Sequence, residues 1–289
     1  STGRPTLSVF TIAGAIMARS FETYEDYKRH LRNKWGQGEG RTYKPWFTTK
    51  DVKAPEAFRA EIFGLKTGRV HHFLSSKEAQ LFYILEHRDD VIDIREQFPL
   101  LPLELSQKIA RTLGVKHPTV TKTGIPFIMT TDILATVKCG TGKSYLAFCV
   151  KPEEKLNDSR VLEKIEIERI WWELLGVPFQ VFTGNDGTEI LSRNLSWVTD
   201  PLRSSTQYEI GKFVEPALSL LSPGKYLKSD ICNMFMSTFY IDSVSALNIL
   251  RMIIAKRLIT VDLTTLLETS SIITINSISL DARRVAGGD

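Results

Sequence analysis

The 289 residues carry 37 Lys and Arg against 33 Asp and Glu, a formal charge of +4, with 43% hydrophobic and 24% charged residues. These ordinary globular values exclude general disorder, and no run approaches the ~18–20 apolar residues of a membrane span, so a non-membrane protein is expected. The length suits two domains better than one, and so small a basic excess permits an anionic partner without requiring one.

Residues 1–20 read as a flexible arm, apolar from Val9 to Ala18, suited to docking a partner. Cys139, Cys149 and Cys232 are odd in number and lack a CxxC spacing, which argues against a disulfide framework or a structural zinc and fits a reducing cytoplasm. No internal repeat is visible. A catalytic domain is expected over 21–200, opening with a polar helix from Phe21 to Lys34. The Gly-rich loop from Gly36 to Lys44 follows, where Arg41, Tyr43, Lys44 and Trp46 interleave basic and aromatic residues as a phosphate-tracking surface does. A solvated loop whose Trp46 plugs the core is an equal alternative. Arg69, His71 and His72 join Arg41 and Lys44 as candidate DNA contacts; adjacent strand residues face opposite ways, so the histidines suit packing or phosphate contact better than a shared metal.

From Ser75 the pattern sharpens. Ser75 caps a helix running to about His87, a strand spans Val91 to Phe98, and a short helix covers Leu103 to Leu113. A β-branched strand from Ile128 to Val137 turns near Cys139 to Gly142 into a return strand from Tyr145 to Val150. Asp158 opens a long helix to about Leu175, Gly176 stops it, and residues 178–183 form a last strand. The main order is α-β-β-β-α-β, an α/β class. Gly142-Lys143-Ser144 ends like a phosphate-binding loop, but Val137 stands where the first glycine is needed, so it is only a hairpin loop.

Over 201–289 the texture becomes mostly α-helical, with helices over Gly211 to Leu221, Ser229 to Met236 and Ser243 to Lys256, and strands near Leu258 to Val261 and Ile272 to Ile275. Three helices with a terminal β-wing make a winged-helix-like domain. It is suited to binding a partner, while Lys225, Lys228, Arg251, Lys256 and Arg257 keep DNA binding open.

The chemistry rests on the hairpin. If Lys138 opposes Lys143, then Asp132 opposes Cys149 and lies diagonal to Lys151, so a carboxylate and an ammonium share one face. A one-residue slip destroys that arrangement. Phosphodiester hydrolysis needs charge stabilisation and an activated water, which hard carboxylate oxygens supply by holding Mg²⁺. Asp132 is the anchoring ligand, Lys151 stabilises charge or orients water, and Glu78 on the preceding helix adds an oxygen, although Ser75 and Glu78 also match a capping box. Glu168 lies among Val161, Ile165, Trp172 and Leu175 on an apolar helical stripe and needs a partner, either a metal shell or Lys164 one turn back.

The runs GQGEGRTYKPW, KTGRVHHFLSSKEAQLF, VIDIREQFPLLP, MTTDILA, FCVKP and LEKIEIERIWW, from about Trp35 to Thr183, resemble in order and spacing the TnsA family. Its members are endonuclease subunits of heteromeric cut-and-paste transposases. The resemblance implies a restriction-endonuclease-like core, Mg²⁺ dependence with Mn²⁺ tolerated, and cleavage at the 5′ ends of a mobile element, the strands not joined to target. It implies as partners transposon-end DNA, an RNase H-type (TnsB-like) transposase subunit, and an AAA+ ATPase regulator (TnsC-like) docking on the C-terminal domain. It implies a bacterial cytoplasmic location at the nucleoid. The family's acidic ligand, aspartate, lysine and later glutamate fall on Glu78, Asp132, Lys151 and Glu168. Where the family has Gln or an acid, this chain has Cys149, a poor Mg²⁺ ligand, so the Val150 carbonyl is the substitute. A free-standing restriction or repair nuclease, and a non-catalytic DNA- and partner-binding scaffold, are the alternatives.

Overall fold

A computed structural model describes residues 19–52, 57–205 and 207–279. Of the expected flexible arm over 1–20, residues 1–18 lie outside the described residues, while Arg19 and Ser20 are fixed to Asp51 and Asp26. Contacts divide the chain into two compact units, Ser1–Thr183 and Gly184–Asp289.

In the first unit, α1 (Tyr24–Arg32) starts at a reciprocal capping box between Thr23 and Asp26. A hairpin of β1 (Ala60–Phe63) and β2 (Val70–Phe73) precedes α2 (Ser76–His87). Then come β3 (Val91–Pro99), α3 (Leu103–Thr112), β4 (Thr130–Cys139), β5 (Gly142–Val150), α4 (Ser159–Leu174) and β6 (Phe179–Phe182). The sheet order is β3-β4-β5-β6, antiparallel except for the parallel β5–β6 pair, which a helical crossover permits. The expected helix-and-strand order is therefore present. The β1–β2 hairpin is additional to it.

Side-chain alternation sorts the sheet into two faces. Ile133, Ala135, Phe148 and Val150 pack with Phe82 and Leu85 of α2, while Leu134 and Ala147 pack with Ile109 of α3 and with Ile167, Trp171 and Trp172 of α4. Both faces are covered, which is why these strands read as nearly continuous apolar runs. Trp46 is fully buried with Phe21, Tyr27 and Phe47, so of its two readings the core plug is the one that holds. On α4 the buried residues are Ile165, Ile167, Glu168, Trp171 and Trp172, whereas Leu175 is exposed, so the apolar stripe is broader than the wheel suggested and stops earlier.

The hairpin register is the expected one: Lys138 pairs with Lys143, and Cys139 with Gly142 closes the turn, where Gly140 takes φ +56°.

The second unit comprises α5 (Asp186–Thr199), α6 (Gln207–Gly211), α7 (Val214–Ser219), β7 (Gly224–Leu227), α8 (Lys228–Phe239), α9 (Ser243–Ala255), β8 (Ile259–Val261) and β9 (Ile272–Ile278). Its sheet is antiparallel in the order β7-β9-β8. α5 precedes the change of texture read near residue 200. It belongs to this unit because Val198 is buried with Ile249 and Leu250 of α9, and Asn194 bonds the backbone at Leu263, Thr265 and Leu267. Of the five basic residues considered for DNA, Lys228 donates to the carbonyls of Leu267 and Glu268, and Arg251 is tied to Asp200 and the Trp197 carbonyl.

One buried ion cluster ties the β1–β2 hairpin to the main sheet. Glu96 of β3, fully buried, accepts both terminal nitrogens of Arg69 (2.8 and 2.6 Å), Nδ1 of His71 (2.8 Å) and the His72 N–H (3.1 Å). His71 also meets the Thr67 hydroxyl at 2.7 Å, and a side chain at Gly64 would collide with its ring. Removing one partner of such a cluster strands buried charge. Glu96→Ala is therefore expected to destabilise the protein by about 3–5 kcal/mol in denaturant unfolding, and a loss below ~1 kcal/mol would show that the cluster does not hold the hairpin.

Candidate active site

Four elements of the first unit deliver the site. α2 begins where Ser75 Oγ accepts the Glu78 N–H (3.1 Å). Glu78 sits three residues into the helix and is buried. Its Oε1 accepts from the Ser75 hydroxyl (2.9 Å) and its Oε2 from the Leu74 N–H (3.0 Å). This is not the reciprocal box anticipated from the sequence, which would place the carboxylate on the Ser75 N–H. The carboxylate is held one residue further out, with Gln97 Nε2 at 3.5 Å from Oε2.

Asp132 stands where the β4–β5 backbone ladder ends, one residue beyond the Ile133–Phe148 pair. Its Oδ2 accepts the Val150 N–H at 2.7 Å and the Lys151 ammonium at 2.9 Å. The same ammonium donates to the Val150 carbonyl (2.8 Å), and the Lys151 N–H continues the sheet onto Phe182 O (3.0 Å). The carboxylate is buried, whereas the lysine side chain is about one-third exposed. Burial opposes the Lys151 charge, but Asp132, Cys149 and Glu168 outweigh it and raise the pKa above the ordinary lysine value.

Glu168 of α4 is buried, and its Oε1 has no hydrogen-bond partner among the described residues. Lys164 makes no ion pair with it; that lysine is itself pushed down by burial and by Arg160. Burial, and then the charge of Asp132, lift Glu168 to about 8, and the same two causes lift Glu78 to about 7. Both glutamates feel Asp132, so the acids of α2, β4 and α4 face one locality. Cys149 is buried beside them, and burial raises its thiol pKa, which disfavours the thiolate.

Among the described residues no three His, Cys, Asp or Glu side chains form a ready metal cluster. The donors nonetheless suit a hard divalent cation. The Lys151 ammonium rests on Asp132 Oδ2 and the Val150 carbonyl, two oxygens already turned toward one positive charge, while Glu168 Oε1 is unpartnered and Glu78 lies alongside.

The proposed DNA contacts divide. Arg41 and Lys44 are exposed, Lys44 donating to Asn33 O and lying 5.9 Å over the Trp35 ring. Arg69 and His71 are withdrawn as DNA contacts, since both are buried on Glu96. His72 is half-buried against Thr49 (3.0 Å) and Glu61 (3.5 Å), and burial lowers its pKa, so it is a poor phosphate cation.

Sequence reasoning missed Gln97. It is fully buried inside β3 with φ +48°, a left-handed conformation costing about 1–3 kcal/mol for a residue other than glycine. No residue-type pattern announces such a position; only the backbone reveals it.

A family model described as "TnsA-like endonuclease N terminal" matches residues 88–184, a span that includes Asp132, Lys151 and Glu168. The chain is also 36% identical over 208 residues to the Transposon Tn7 transposition protein TnsA of Escherichia coli, covering 71% of this chain and 74% of that protein.

The two raised glutamates set a pH dependence. Between the ordinary value of 4.5 and about 7–8 the folded state binds more protons than the unfolded one. Their contribution to stability is therefore largest at low pH and falls as pH rises through that window. In metal-free buffer Glu168→Gln should match the parent melting temperature near pH 5 and exceed it by several degrees at pH 8.5, on the order of 2–4 °C per kcal/mol relieved. An unchanged difference between parent and variant across that range would exclude a protonated Glu168.

Proposed function

The chain belongs to the TnsA-like endonuclease family, and from that premise we propose that it cleaves the 5′ ends of a transposable element in a Mg²⁺-dependent reaction, as one subunit of a cut-and-paste transposase. The observation that carries this reading is the Lys151 ammonium held on Asp132 Oδ2 and the Val150 carbonyl, with Glu168 Oε1 buried and unpartnered among the described residues and both Glu78 and Glu168 raised by the charge of Asp132. One positive charge cannot serve three acids. Two of them are driven toward the protonated form, and acids so perturbed beside Asp132 are the groups a cation would relieve.

Asp132, Glu78 and the Val150 carbonyl would hold the ion, with Glu168 at its edge. A bound Mg²⁺ supplies Lewis-acid stabilisation of charge on phosphorus and an acidified water. Lys151, a third exposed, is placed to donate hydrogen bonds to a phosphate oxygen or to orient the attacking water. Asp132 fixes that ammonium through Oδ2. Arg41 and Lys44, both exposed, are the proposed backbone contacts that bring the duplex to the site.

Transposon-end DNA, an RNase H-type (TnsB-like) subunit and an AAA+ (TnsC-like) regulator are the proposed partners, in a bacterial cytoplasm at the nucleoid. The regulator is assigned to the C-terminal unit. The succession α7, β7, α8, α9, β8, β9 with the sheet order β7-β9-β8 supports a winged helix there, and the internal use of Lys228 and Arg251 favours a protein partner over DNA. We place the boundary between the catalytic and C-terminal domains near residue 184 rather than at the expected 200/201, because α5 packs within the second compact unit.

The test is Asp132→Ala, assayed for strand-resolved cleavage of a mini-element with all transposase partners present. The rate of 5′ nicking should fall by more than about a hundredfold, as on removal of a transition-state-stabilising group, with 3′ cleavage and joining retained. In parallel, Mg²⁺ should raise the melting temperature of the parent chain beyond the effect of bulk salt and leave the variant unmoved. Undiminished 5′ nicking by the variant would remove the nuclease assignment.

A further inference from the structure

Besides the bulge between Val91 and Asp93 at its start, β3 is interrupted at Gln97. The pairs Glu96 with Ile133 and Phe98 with Thr131 place it opposite Asp132, yet Gln97 itself is missing from the ladder and takes φ +48°. Normal alternation is broken across it. Ile94 packs with the α2 cluster and Glu96 bonds Arg69 and His71, but Phe98 packs in the opposite cluster with Trp172 of α4. A left-handed residue accomplishes that reversal, and glycine would do so without strain. Glutamine in its place needs a reason found in its side chain.

That side chain is fully buried and held at both ends. The Thr130 hydroxyl donates to Gln97 Oε1 at 3.0 Å, which fixes the amide with its Nε2 donor toward Glu78 Oε2 at 3.5 Å. The Gln97 carbonyl accepts the Trp46 N–H at 3.1 Å, so the unusual backbone is tied into the N-terminal core. This amide orientation sets the donor on Glu78 whenever that carboxyl is ionised, the state a cation would favour. With Leu74 N–H and Ser75 Oγ, Gln97 supplies the third donor to that carboxylate, and the only one from the strand that borders Asp132.

Resting on the nuclease reading above, we infer that Gln97 is a positioning residue: its carboxamide, braced by Thr130, holds the Glu78 carboxylate toward Asp132 so that both can meet one cation. The strained backbone is the means of delivery. Groups that orient ligands in this way typically change metal affinity or rate by about 10–100-fold when removed.

The experiment compares Gln97→Gly, Gln97→Met and Asp132→Ala in the full chain. Three readouts are taken: single-turnover 5′ cleavage in the assembled transposase, KM for element-end DNA, and Mn²⁺ affinity of the chain without DNA by calorimetry. Gln97→Gly relaxes the backbone, which offsets part of the cost of emptying the buried side-chain site, and should lose about 10–100-fold in cleavage and in Mn²⁺ affinity with KM unchanged. Gln97→Met, which keeps the bulk and removes the donor, should lose the same activities, and it decides the matter if the glycine variant is unstable. Wild-type cleavage and Mn²⁺ affinity in both, while Asp132→Ala is dead, would overturn the positioning role alone. Should Asp132→Ala also cleave normally, the nuclease reading falls and this inference with it.

Discussion

Asp132 Oδ2 accepts two hydrogen bonds from the end of the neighbouring strand, the Val150 N–H and the Lys151 ammonium, and the β4–β5 ladder of the first unit's main sheet ends on that pair. The carboxylate replaces a backbone acceptor at the point where the β4–β5 ladder stops, so it closes the sheet and builds the site at once. Register makes this possible. With Lys138 opposite Lys143, the tight turn at Gly140 counts the strands out so that Asp132 and Lys151 share a face; a slip of one residue would send one of them to the α2 side. The apolar alternation on both faces guards against that slip, since shifting β4 would turn Ile133 and Ala135 from the α2 cluster into the α4 cluster.

Three buried glutamates in this unit illustrate how charge is settled by company rather than by burial. Glu96 is entirely enclosed, yet Arg69 and His71 hold its carboxyl well below the usual range despite the opposing effect of burial. Glu78 and Glu168 are enclosed to a similar degree and lie near Asp132 instead, so burial and like charge act together and raise both. The first arrangement is a structural fastening. The second is poorly stabilised without a cation, and with the strain at Gln97 it concentrates the unfavourable interactions in one place. The packed clusters around Trp46, Phe82 and Trp172 offset these costs elsewhere in the unit.

Much of this was legible in the sequence because it follows from two periodicities. Period two, anchored on Lys138 and Lys143, located Asp132 beside Lys151, and the helical period located Glu168 on a buried face of α4. Interactions without a local signature escaped. Arg69 and His71 looked like surface cations because Glu96, their partner, lies 27 and 25 positions away. α5 escaped because its polar opening at Asn185 to Glu189 resembles a loop, and only its packing onto α9 identifies it with the second unit. Gln97 is the extreme case, since a positive φ in a glutamine has no counterpart in residue type.

Cys149 gives the site its individual character. It lies one position from the Asp132-bonded Val150, buried and with its thiolate disfavoured, so β5 offers a cation a backbone carbonyl rather than an ionised side chain. Under the proposed nuclease reading the missing oxygen has to come from outside the strand. Glu168 is a group able to supply it, because Cys149 and Glu168 influence each other directly and Glu168 Oε1 has no hydrogen-bond partner among the described residues. The small thiol on β5 thus lies against the acid that α4 contributes. Such a site depends on the placement of α4 as strictly as on the β4–β5 register. That placement is fixed by the bond from Trp172 Nε1 to the Thr131 hydroxyl at 2.6 Å, on the residue next to Asp132. The helix that brings the extra acid is thereby fastened to the strand that carries the first one.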